Sequence, residues 1–108
     1  MTANAVVRVL LAEDNELDAR ALTRSLTNSV ETPFIITRAN DLAAALELLS
    51  QGGFDCVLLD HSLPDSAGLV SVEVLTSRFP DQPIVVLTGL DDPATAVEAV
   101  RQGAQDYL

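Results

Sequence analysis

The sequence predicts an α/β fold, a doubly wound sheet of five parallel strands in the order 2-1-3-4-5. Short apolar runs rich in branched residues alternate with segments of helical period along the whole chain. The third and fourth runs, Cys56 to Leu59 and Ile84 to Leu87, lack polar alternation. A strand apolar on both sides suits a parallel sheet covered by helices on both faces. No linker, repeat or low-complexity tract interrupts the 108 residues, so residues 1–108 read as one domain.

The first strand is expected over Val6 to Ala12, and the first helix over Glu16 to Ser29. Ala19, Leu22 and Leu26 share one face of that helix, with Asn15 or Asp18 available as its cap. Strand 2 spans Phe34 to Ala39. Helix 2, Leu42 to Gln51, carries Leu42, Ala45, Leu46 and Leu49 on one stripe and stops at Gly52-Gly53. After the strand from Cys56 to Leu59, helix 3 should start near Ala67, capped by Asp65, and end before Pro80. Leu69, Val72 and the Leu75 to Thr76 turn should form its buried side. Pro64 and Gly68 shape the loop before it. Asp92-Pro93 opens a fourth helix closed by Gly103, and Asp106-Tyr107-Leu108 begins a fifth strand.

Composition narrows the partners. Hydrophobic residues make up 48% of the chain and aromatics 4%, so the core is aliphatic. Sixteen acidic residues against six arginines and no lysine give a formal charge of -10. Such a surface repels nucleic acid and anionic membrane, leaving cations and basic protein surfaces as natural ligands. No apolar run approaches the roughly 20 residues that span a bilayer. The start lacks a basic region followed by an apolar stretch, and the lone Cys56 can form no internal disulfide. A cytoplasmic protein is expected.

Polar residues gather at the carboxyl ends of the strands: Glu13 and Asp14 after strand 1, Asp60 after strand 3, Thr88 after strand 4. In the predicted order these strands are neighbours, about 4.8 Å apart. Asp14 and Asp60 then face one another within reach of one ion, with Glu13 alongside. Hard oxygen ligands of this kind suit Mg²⁺, or Mn²⁺ as a substitute. With sixteen carboxylates some fall at strand ends by chance, but the joint placement on three adjacent ends favours a site. His61, one residue past Asp60, points away by alternation and reads as loop or surface, and Cys56 as packing.

These stretches resemble the receiver domain of the two-component response-regulator family, whose fold is flavodoxin-like. The matches are Leu10-Leu11-Ala12-Glu13-Asp14-Asn15, Val57-Leu58-Leu59-Asp60 with Leu63-Pro64-Asp65 and Gly68, Val86-Leu87-Thr88-Gly89, and Gly103-Ala104-Gln105-Asp106-Tyr107-Leu108. The resemblance implies that Asp60 accepts a phosphoryl group from a sensor histidine kinase or phosphotransfer protein. It implies that Asp14 binds Mg²⁺ directly, Glu13 acts through the ion's water shell, and the Ser62 carbonyl completes the protein's ligands. Thr88 and the Gly89 N–H would bond phosphoryl oxygens, and Tyr107 would turn inward to relay the change to the surface for a downstream effector. Enzymic activity is then limited to self-phosphorylation and slow self-dephosphorylation.

One departure matters. Receivers carry a lysine soon after the position of Leu108, followed by a fifth helix, and this chain stops first. A fragment truncated before the end of strand 5, with its effector beyond Leu108, is the expectation. Its uncovered sheet face should favour self-association. The rival reading is a receiver-like protein-binding module that is never phosphorylated. An aspartyl phosphatase or mutase usually needs a second acid two residues after the nucleophile, where Ser62 stands. A flavin carrier would find its phosphate repelled by the carboxylates.

Overall fold

A computed structural model describes residues 6–28, 33–60, 62–67 and 69–87. Strand β1 (Val7–Ala12) is followed by α1 (Glu16–Thr27), β2 (Phe34–Ala39), α2 (Leu42–Ser50) and β3 (Cys56–Asp60). Two short strands, β4 (Ser62–Leu63) and β5 (Ser66–Ala67), precede α3 (Leu69–Arg78) and β6 (Ile84–Leu87). The main sheet runs β2-β1-β3-β6 with every described pair parallel. In terms of the four long strands, this is the order 2-1-3-4 expected from the sequence. The anticipated fourth helix and fifth strand, with Thr88, Gly89 and Tyr107, lie outside the described residues, as do His61 and Gly68.

The central strands are apolar because both of their faces are covered. Val9 and Leu11 of β1 and Cys56 and Leu58 of β3 pack with Ala19, Leu22 and Leu26 of α1. The alternate residues Leu10, Ala12, Val57 and Leu59 pack with Leu42, Ala45 and Leu49 of α2 and Leu75 of α3. Strand alternation thus divides one sheet between two cores, which is the double winding. Leu10, Leu11, Leu58 and Leu59 are fully buried. Cys56 is buried beside them, and burial first, then the Asp55 charge, pushes its thiol up to about 11. It stays protonated at neutral pH and packs as a small apolar group.

Helix boundaries follow from caps. Asn15 accepts the Asp18 N–H at 3.0 Å and starts α1. Asp41 accepts the Ala44 N–H at 2.8 Å and starts α2. At the far end of α2, Gly52 adopts φ +78° while its N–H donates to the Leu49 carbonyl, a left-handed ending that glycine makes without strain. Several expected boundaries move. The first helix ends at Thr27 instead of Ser29, and the third begins at Leu69 instead of Ala67. Ser66 and Ala67 instead pair back on Ser62 and Leu63 in an antiparallel hairpin. The buried side of α3 is Ser71 and Leu75, not Thr76, which is exposed and turns its hydroxyl to the Val72 carbonyl at 2.8 Å.

Candidate functional site

The site lies where β1 and β3 end together. Ala12 is level with Leu59 in the parallel register, so the next residues, Glu13 and Asp60, are level too, roughly 4.8 Å apart in backbone spacing. On its other edge Asp60 is paired with Leu87, and the chain passes from there to Thr88. A parallel sheet thus brings the first acid pair, Asp60 and the end of β6 to one edge. Asp60 and Ser62 are placed by their backbone.

Glu13 is 5% exposed, one of two buried polar side chains among the described residues. Its N–H continues the ladder by donating to the Ala39 carbonyl at 3.0 Å. Its carboxylate Oε2 accepts the Asn15 N–H at 3.1 Å. That bond folds the Glu13-Asp14-Asn15 turn back on itself just before α1 starts. Asp14 is exposed at the turn's crest. The pair therefore presents one sheltered and one open carboxylate.

All potential ligands here are oxygens: the carboxylates of Glu13 and Asp14, the Asp60 position, and the Ser62 carbonyl. Such a donor set fits Mg²⁺ or Mn²⁺ and not a soft metal. Among the described residues no three His, Cys, Asp or Glu side chains assemble as a metal cage. An ion held largely by water asks for no such cage.

Two residues that the sequence left without a role in the site support its loops. Arg38, in the edge strand β2, donates from Nε to the Glu13 carbonyl at 3.1 Å and from Nη2 to the Asp14 carbonyl at 3.2 Å. A signal existed: Arg38 is the penultimate residue of the strand beside β1, at the same sheet edge as the acids. Asp65, expected to cap α3, instead reaches back to α2. Its Oδ1 accepts the Leu42 N–H at 2.8 Å and its Oδ2 the Ala43 N–H at 3.0 Å. The 62–67 hairpin places it against the start of α2, with Leu63 buried in the core beneath. The Leu42 N–H is the main cause that holds the Asp65 carboxyl below its ordinary value; desolvation opposes it and the Ala43 N–H adds to it.

Comparison with known proteins identifies the family. The model of the response regulator receiver domain matches residues 9–108. The photosynthetic apparatus regulatory protein RegA of Rhodovulum sulfidophilum is 38% identical over 100 residues, covering 93% of this chain and 53% of RegA. The response regulator protein PilR of Pseudomonas aeruginosa is 34% identical over 99 residues, covering 91% of this chain and 22% of PilR. The chain thus spans between 22% and 53% of the length of these curated relatives. Among solved structures, the phosphorylated cyanobacterial phytochrome response regulator RcpA superposes with a TM-score of 0.69 at 27% identity, over 94% of this chain and 75% of that one.

Proposed function

The chain belongs to the response regulator receiver family, and on that premise we propose that Asp60 is its phosphoacceptor in a two-component phosphorelay. The observation that carries this reading is the register that sets Asp60 level with the buried Glu13 on one side and against Leu87, just before Thr88, on the other. The solved relative RcpA, phosphorylated in its crystal structure, supports it.

An Asp60 oxygen attacks phosphorus of a phosphohistidine on a sensor histidine kinase or phosphotransfer protein. The new O–P bond forms as the P–N bond breaks, and the imidazole leaves with the electron pair and takes up a proton from water. A carboxylate and a phosphoryl group are both anionic, so the task is charge screening and alignment more than base catalysis. When bound, Mg²⁺, or Mn²⁺ in its place, supplies the screening charge. Asp14 and Asp60 would hold it directly, Glu13 through water, and Ser62 by its backbone carbonyl. Thr88 and the Gly89 N–H bond the phosphoryl oxygens, and Tyr107 carries the change to the surface read by an effector. Turnover is confined to self-phosphorylation from small donors and slow self-dephosphorylation, in the cytoplasm.

Intact mass after incubation with Mg²⁺ and a small phosphodonor tests the reading. A single phosphoryl adduct is expected on the chain and none on Asp60→Ala. An adduct that survives Asp60→Ala overturns the assignment. Mg²⁺ binding without any adduct, both on this chain and on one extended past Leu108, would favour the protein-binding module, whereas an adduct on the extended chain alone would assign the loss to the missing lysine.

A further inference from the structure

Arg38 bridges the two residues of the acidic turn from another strand. Its guanidinium spans the consecutive carbonyls of Glu13 and Asp14 at 3.1 and 3.2 Å, across 25 and 24 residues of sequence. The same turn is closed from within by the Asn15 N–H on Glu13 Oε2. Two rigidly spaced donors on two successive carbonyls set the turn's orientation, which a single rotatable ammonium does not do. Its neighbours in the groove between α1 and β2 differ. Arg20 pairs with Glu16 at 3.7 Å on the exposed face of α1, and Arg24 lines the groove from the last turn of that helix.

We propose that Arg38 is a positioning residue for the divalent-cation site, holding the Glu13-Asp14 turn in its ion-binding orientation from the edge strand. The inference rests on the reading of Glu13 and Asp14 as the ion's ligands. It carries a sign that charge alone does not. A positive group beside a cation site repels the cation, so removing Arg38 should tighten Mg²⁺ binding about twofold through Coulomb effects. Loss of positioning does the opposite, because outer supports of a metal site commonly account for 10- to 100-fold in affinity.

The test is calorimetric Mg²⁺ titration of the full chain, Arg38→Lys, Arg38→Met and Arg24→Met, each confirmed as folded by circular dichroism. Arg38→Lys keeps the charge and loses the fork, so binding should weaken about tenfold. Arg38→Met should weaken it about fivefold, the lost repulsion offsetting part of the lost order. Arg24→Met, which removes a charge from the same groove, should leave it unchanged or tighten it by at most about twofold. Amide exchange at Asp14 and Asn15 should quicken in both Arg38 variants. Wild-type affinity in Arg38→Lys with tighter binding in Arg38→Met overturns the positioning role. A wild-type chain that takes up no Mg²⁺ overturns the ion reading beneath it.

Discussion

Asp65 shows how one side chain can bind two elements that sequence alone keeps apart. Its carboxylate takes the first two amides of α2 while Asp41 takes a third, so three of the helix's four unpaired N–H groups are satisfied. Because those bonds need the anion, the folded carboxyl titrates below its ordinary 3.8. A depressed acid stabilises the fold above its ordinary value, and that stabilisation disappears as pH falls through the lower, folded value. The thermal midpoint of Asp65→Ala should therefore lie below wild type at pH 7, and the gap should close on acidification below about pH 4. A gap that does not narrow at any pH below 3.8 would show that the carboxylate's charge is irrelevant. The sequence suggested Asp65 as a cap but assigned it to the next helix. Capping rules look forward along the chain, and only the hairpin made by Ser62, Leu63, Ser66 and Ala67 returns Asp65 to α2.

At the scale of elements, periodicity was a sound guide wherever burial was one-sided or complete. Ala19, Leu22 and Leu26 form the buried stripe of α1 as their spacing requires, and the unbroken apolar run of β3 is buried on both faces. In α3 periodicity placed Leu75 and Val72 correctly but missed the buried Ser71 and misassigned the exposed Thr76. A serine can enter a core when its hydroxyl is satisfied, so polarity alone hid that position. The placement of the acids was legible at the same level: strand order and register put Glu13 beside Asp60. The supports of Arg38 were not, because a lone arginine in an edge strand reads as solvated. Leu26 fastens α1 to its core and is 0% exposed. Leu26→Ala should destabilise the protein by about 3 kcal/mol in urea unfolding. A loss under about 1 kcal/mol would mean that α1 repacks easily or contributes little.

For the whole molecule, charge sets the background against which any switch operates. Sixteen acids and six arginines leave a formal charge of -10 on 108 residues, and Arg20–Glu16 is the one ion pair found among the described residues. Self-repulsion of this size opposes the compact state and is weakened by salt. The thermal midpoint should rise when NaCl is increased from about 10 mM to about 500 mM, where the Debye length falls from about 30 Å to a few ångströms. A flat or falling midpoint would show that local pairs outweigh the net charge. The flavodoxin-like receiver fold tolerates the excess because its core is aliphatic and, among the described residues, Glu13 is the one charged side chain that is buried.

The central place of β1 has a consequence for how the chain comes into being. Val9 to Ala12 are wholly buried, yet β1 lies between β2 and β3 and gains its second neighbour only when residues from Cys56 onward are available. During synthesis, which proceeds from the N-terminus, β1 is made before both of the strands that flank it and waits for them. Pairing of Val9 with Cys56 also closes a long loop before it yields any reward, which slows folding. Arg8, Glu13 and Asp14 flank the waiting strand with charge, the arrangement that keeps an apolar segment from recruiting copies of itself on the ribosome. Glu13 and Asp14 are thereby placed to act as gatekeepers for the nascent chain.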